Sequence, residues 1–145
     1  MSVPTRASML GRGVRLLFVR LDMPADFVID SARGTVFSRA WGRLTNTDLL
    51  AAQDALRAHP AFDPAFRQLY DFTGVTDIAV TRDAFPAFRA RAPFDHTARQ
   101  AFVVGSTAAF GMARMYELLH DLDAGQFRVF REAHEARAWL GIDGE

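Results

Sequence analysis

Two aspartates and three threonines crowd the stretch Asp71-Phe72-Thr73-Gly74-Val75-Thr76-Asp77-Ile78-Ala79-Val80-Thr81. Hydroxyls flanked by carboxylates offer a surface for a protein partner or for phosphorylation, which places charge and acceptor oxygens where a partner can read them. Asp71, Thr73, Gly74, Thr76, Asp77 and Thr81 are therefore candidate surface residues. As a turn, Thr73-Gly74 explains itself without any function. Ser106, directly after Gly105, is the other candidate. A serine nucleophile would want the GxSxG elbow, and Gly105-Ser106-Thr107-Ala108-Ala109 lacks it. The helix that starts there could instead hold an anion on its free N–H groups. The plain alternative is that Ser106 caps the helix, a contribution of about 1 kcal/mol.

The remaining chemistry-bearing residues do not converge. His59, His96, His120 and His134 fall on separate elements. Glu117, His120 and Asp121 share one helix end but need a ligand from elsewhere, and a solvated helix terminus with His120 near the negative end accounts for them. Met112 and Met115 read as core. Arg82, Arg89 and Arg91 interleave with Phe85, Phe88 and Phe94, a pattern that suits nucleic acid but equally suits a helix with Phe inward and Arg outward. We expect no catalytic residues, no metal ligands and no cofactor.

The elements that must position these residues follow from periodicity. The clearest is Arg99 to Leu122: Ala101-Phe102-Val103-Val104 reads as a buried strand, Gly105 as a turn, and Ala108, Met112, Met115, Leu119 and Leu122 as one face of a helix. Before it, Phe27-Val28-Ile29-Asp30 and the alternating Thr35–Gly42 run flank a Ser31-Ala32-Arg33-Gly34 turn and predict a hairpin. Val36, Ser38 and Ala40 share one face of the second strand. Thr45 or Thr47 can cap a first helix with Leu49, Ala52, Gln53 and Leu56 on one side, ending at His59-Pro60. Leu69–Phe72 predicts a strand closed by Thr73-Gly74, and a helix from Thr81 or, more safely, Asp83 runs to about Ala92 with Phe85 and Phe88 inward. After a Gly125 turn come a strand at Phe127–Phe130 and a helix from Glu132 to Leu140 with Ala133, Ala136 and Leu140 or Trp139 inward. From Phe27 the order is ββαβαβαβα: an α/β domain whose mixed sheet starts with an antiparallel hairpin and continues in parallel βα units.

Composition bounds the rest. The chain has 145 residues, half of them apolar and 23% charged, and fits a single domain. Its 17 basic and 17 acidic residues cancel, so overall charge gives no reason to expect nucleic acid. All the basic residues are Arg, which reads as coding bias, and there is no Cys, which excludes disulfides and thiolate sites. No apolar run reaches the roughly 18 residues of a membrane span, and we expect a cytoplasmic protein. Residues 1–22 carry Arg6, Arg12, Arg15 and Arg20 before any acid. They lack a secretory pattern and, with no acid before Asp22, are similar in composition to a mitochondrial presequence, but we favour an upstream start included in error, with Met23 the natural start. If they belong to the protein, Val14–Leu21 adds an edge strand, ahead of a domain spanning 23–145.

The element order resembles that of STAS domains, the fold of anti-sigma-factor antagonists of the SpoIIAA type. Asp71-Phe72-Thr73-Gly74-Val75-Thr76 is similar to the Asp-Leu-Ser-Gly-Val-Thr-like stretch that follows their third strand. Their Asp-Ser-Ser-Gly box is replaced here by Ala79-Val80-Thr81-Arg82, so that Val80 stands where the family's phosphorylated serine falls. Phe110–Met115 and Val129–Leu140 also resemble segments of stand-alone SpoIIAA-like bacterial proteins. The resemblance implies a single SpoIIAA-like domain and a non-enzymatic regulatory or binding module without the usual phosphorylatable box. Its partner would be a protein or a small anionic or apolar ligand, with a homodimer left open. The 13 phenylalanines, and a distant likeness to Sec14-type lipid-transfer domains, support a second class, a carrier of lipid or of a small apolar ligand. An enzyme built on Asp71, Ser106 and His120 is the remote third.

Overall fold

The computed structural model describes residues 6–7, 16–20, 24–119 and 126–142. Its strands are β1 (Arg6–Ala7), β2 (Leu16–Arg20), β3 (Ala25–Asp30), β4 (Thr35–Thr45), β5 (Arg67–Ala79), β6 (Gln100–Val103) and β7 (Phe127–Phe130). They lie side by side in sequence order in one seven-stranded sheet. Strands β1 to β4 are antiparallel neighbours, and β4 to β7 are parallel. The helices are α1 (Asn46–Ala58), α2 (Phe85–Ala90), α3 (Thr107–Leu119) and α4 (Ala133–Leu140). From β3 onward the order is the expected ββαβαβαβα; Leu16–Arg20 forms a strand within Val14–Leu21, but β1 pairs outside it, so it is not the expected edge.

Handedness places the helices. Four parallel strands added in one direction with right-handed crossovers must carry every crossover helix on the same face. That face bears Phe27 and Ile29 of β3, Val36, Ser38 and Ala40 of β4, and Tyr70 and Phe72 of β5, with α1, α2 and α3 packed over it. α4 follows the last strand, is not a crossover, and covers Leu69, Ala101, Val103 and Phe130 on the opposite face through Ala136 and Leu140. Ala133, expected inward, is exposed, because α4 turns its Ala136–Leu140 side to the sheet.

Local signals act as read at the first helix. The Thr45 hydroxyl accepts the Asp48 N–H at 3.2 Å, and the Asp48 carboxylate accepts the Thr45 N–H at 3.0 Å, a complete capping box. His59, forced out of the helical region by Pro60, ends the helix in an extended conformation. Gly34 turns the β3–β4 hairpin at φ +59°, and the buried Asp30 carboxylate accepts the Arg33 N–H and pairs with its guanidinium.

Three expectations change. β5 does not stop at Phe72: it runs through Thr73-Gly74 to Ala79, because β4 also continues to Thr45 and offers it a ladder partner. Two register slips in the β4–β5 ladder, opposite Arg39–Trp41 and opposite Gly42–Arg43, each set one extra residue in β5 and bend this extension. The second helix is a 3-10 turn over Arg82–Ala84, after Thr81, followed by α2, with Pro86 in its first turn; Asp83 is not the cap. In α3 the inward face is rotated. Ala109, Met112, Ala113 and Tyr116 face the core, whereas Ala108 and Leu119 are exposed. Tyr116 is the larger anchor, packing edge-on to Phe85 at 5.3 Å and tilted to Phe127 at 6.0 Å. His120, Asp121, Leu122 and the Gly125 turn lie outside the described residues.

Candidate functional site

Asp71, Thr73 and Gly74 sit where β5 leaves β6, whose pairing ends at Val103 opposite Asp71. The Asp71 carboxylate accepts the Thr73 N–H at 2.8 Å and the Thr73 hydroxyl at 2.6 Å, so the two residues satisfy each other. Gly105 lies beside them: a side-chain carbon there would come within 3.3 Å of Thr73 Cα and of its carbonyl oxygen. The structure thus brings Ser106, one residue on, to the same sheet end as Asp71 and Thr73. Its hydroxyl oxygen accepts the Ala109 N–H at 3.0 Å, the geometry of a helix cap.

The other three surface candidates lie elsewhere. Asp77 is exposed and pairs with Arg43 of β4 at 2.8 Å. Thr76 is exposed on the same strand. Thr81 is tied to the start of α1: its N–H donates to Asn46 Oδ1 at 3.0 Å, the Asn46 amide donates to its hydroxyl at 2.8 Å, and that hydroxyl donates to Asp83. Residues 73–79, expected to follow the strand as a turn and loop, continue β5, and Thr81 sits in a tethered turn after it. Of the helical grouping, Glu117 is buried and pairs with Arg114 at 2.7 Å. Among the described residues no group of three or more His, Cys, Asp or Glu side chains stands close enough to hold a metal ion.

A second candidate, a concave and mainly apolar feature, lies between the sheet and α1–α3. It is a half-open, mainly apolar cavity of about 140 Å³. Its floor is the sheet face: Ser38, Gln68, Tyr70, Phe72, Gln100 and Phe102. Small residues in the roof, Ala52 of α1 and Ala109 and Ala113 of α3, keep the helices from filling it, and Phe85 and Phe88 of α2 form one side. Leu44, Ile78 and Val80, from the β4–β5 extension, wall one end. Arg89 is the exposed residue among its described walls.

Polar groups cross this floor in a row. Gln100 Nε2 donates to Gln68 Oε1 at 3.0 Å, and Gln68 Nε2 donates to Ser38 Oγ at 3.1 Å, linking β6, β5 and β4. The Tyr70 ring stacks on Phe72 with centroids 4.2 Å apart, and burial raises its phenol well above the usual tyrosine range. Across the roof, Gln53 Nε2 donates to the Phe88 carbonyl at 3.0 Å, tying α1 to α2, while its buried Oε1 has no hydrogen-bond partner among the described residues. Across β3 and β4 Arg39 donates to both oxygens of Asp26, at 2.7 and 3.0 Å, so this acid is neutralised. Hydrogen bonding to Asp26 is the main reason the Arg39 guanidinium holds its proton more tightly than usual.

Sequence reasoning placed Ser38 beside Val36 and Ala40 on one strand face, but it missed the site. The alternation of Gln68, Tyr70 and Phe72 was the available signal, and the expected strand began one residue too late to include Gln68. Among the described residues no helix is long and apolar enough to cross a membrane. No protein-family model and no curated protein matches the chain. Among solved structures it is similar, at 18% identity, with a TM-score of 0.47 and over 92% of this chain and 98% of the other, to an uncharacterized protein from the DUF3478 family with a SpoIIAA-like fold from Shewanella loihica PV-4.

Proposed function

We propose that the protein is a non-enzymatic binding module that holds a small, mainly apolar molecule between its sheet and helices α1–α3. The cavity carries this reading. Protein interiors close to crystal density and leave few voids larger than a water molecule. A half-open, mainly apolar space of about 140 Å³ between packed layers is large enough to take a small molecule. An apolar cavity of about 150 Å³ takes up benzene in another protein core. The same size argues against a diacyl lipid as cargo and narrows the carrier class to a single ring or a short chain. The non-enzymatic part is supported by Ser106, whose oxygen is occupied as a cap, and by Asp71, whose carboxylate is occupied by Thr73.

Benzene titrated into methyl-labelled protein should give saturable shifts at Met112, and Ala113→Leu, which fills the roof, should abolish them while the protein stays folded. A wild-type titration without saturable shifts would overturn the reading.

A protein-binding regulatory module acting through residues 71–81 is the second reading. One observation favours it: beyond Asp71, β5 pairs with β4 alone, so its other edge carries no strand among the described residues. Thr81→Glu would break the Asn46 tether and weaken such a complex. Co-purification with products of neighbouring genes that is insensitive to Thr81→Glu counts against it.

A further inference from the structure

We infer that the cavity's ligand is an uncharged molecule about the size of cyclohexanone, carrying one acceptor oxygen that the Ser38 and Tyr70 hydroxyls read from the floor. The inference rests on the cavity reading above and names its ligand class.

Apolar side chains are the default on a buried sheet face, and a polar group there is costly unless it is paired. Yet Gln68 is 4% exposed and Ser38 is 6% exposed. The amides of Gln100 and Gln68 both donate toward β4, so the row has a direction and ends at Ser38. The Ser38 oxygen accepts from Gln68, and its own proton meets no acceptor among the described residues. Tyr70 is the register partner of Ser38 on β5, on the same face. Its hydroxyl makes no hydrogen bond among the described residues, and burial keeps it protonated, hence a donor. Two O–H donors without acceptors among the described residues therefore lie on adjacent strands of the floor of a mainly apolar cavity.

What they lack is an acceptor, and charge is excluded from supplying it. Asp26, the acid along the walls, is held by Arg39 through two hydrogen bonds, and Arg89 is exposed. A carboxylate entering the cavity would lose its water without gaining a cation in the interior. A carbonyl or hydroxyl oxygen on a small apolar frame meets both donors at far lower cost.

The test compares cyclohexanone with methylenecyclohexane, which share a shape and differ in C=O against C=CH2. Both are titrated by NMR into wild type, Tyr70→Phe and Ser38→Ala. In wild type the ketone should bind at least as tightly as the hydrocarbon. Each variant should weaken the ketone by about tenfold and leave the hydrocarbon unchanged. Cyclohexanecarboxylate should not bind. The ratio of the two affinities is the readout, so a general loosening of the fold cancels. If neither neutral probe binds wild type, the cavity reading fails and takes this inference with it. If the hydrocarbon binds and the ratio is the same in all three proteins, or the carboxylate binds as well as the ketone, the inference alone fails.

Discussion

Gly74 of β5 lies against Trp41 of β4, its register partner: a side-chain carbon at Gly74 would come to 3.0 Å from Trp41 Cβ and 3.4 Å from the Ala40 carbonyl oxygen. The pair sits where the β4–β5 ladder slips, so the strands approach closely just as they leave the rest of the sheet. Gly74→Ala should lower stability by about 1–3 kcal/mol, since backbone and not a flexible side-chain end must move. Urea unfolding measures it, and an unchanged midpoint would remove this account of the glycine.

Ser106→Ala separates a cap from a site. Loss of the Ser106–Ala109 hydrogen bond should cost about 1 kcal/mol, seen as a lower denaturation midpoint, while benzene or ketone binding stays as in wild type once the protein is folded. A selective loss of ligand binding with stability intact would return Ser106 to the functional residues.

His59 couples stability to acid. Its imidazole lies edge-on to Phe27 with centroids 6.1 Å apart, and Nδ1 accepts the Ala61 N–H at 3.1 Å. Burial holds its pKa below the ordinary 6.5. The unfolded chain therefore takes up a proton in the window just below 6.5 before the native protein does, and stability falls as pH falls through that window. His59→Asn should flatten this part of the pH–stability curve relative to wild type. Parallel curves would show that another group is responsible.

At the alkaline end the chain is unusually simple. It has no Lys and no Cys, and its two tyrosines are Tyr70 and Tyr116. Burial raises both above the ordinary 10.0, although Arg89 draws Tyr116 partly back. The unfolded chain loses these protons first, so stability should fall as pH rises above 10.0. Tyrosinate absorbance should appear together with loss of far-ultraviolet circular dichroism. A clean titration near 10.0 in folded protein would contradict the packing of both rings.

Much of the scaffold was legible because its signals are local. Thr45, Asp48 and Pro60 bound α1 by capping and by steric restriction, and Ser31–Gly34 marks the hairpin without reference to any distant residue. The end of β5 was not legible. Thr73-Gly74 has turn chemistry, and what overrides it is a ladder to Trp41–Thr45, far away in the chain. The phase of α3 failed for a related reason: Ala and Leu or Met residues occupy several sides of that helix, and contact of Tyr116 with Phe85 and Phe127 selects among them. The candidate site was the least legible part. Ser38, Gln68 and Gln100 are unremarkable alone and become a row only once three strands are in register.

The β4–β5 extension gives the cavity an unequal wall. Residues 42–45 and 74–79 are paired only with each other among the described strands, whereas the floor is cross-braced by strands on both sides. Leu44, Ile78 and Val80, which seal that end, therefore ride on the part of the sheet with the fewest neighbours to hold it shut. Breathing of this ribbon would open the chamber without disturbing the donors on its floor, and amide exchange along 74–79 would report how often it opens.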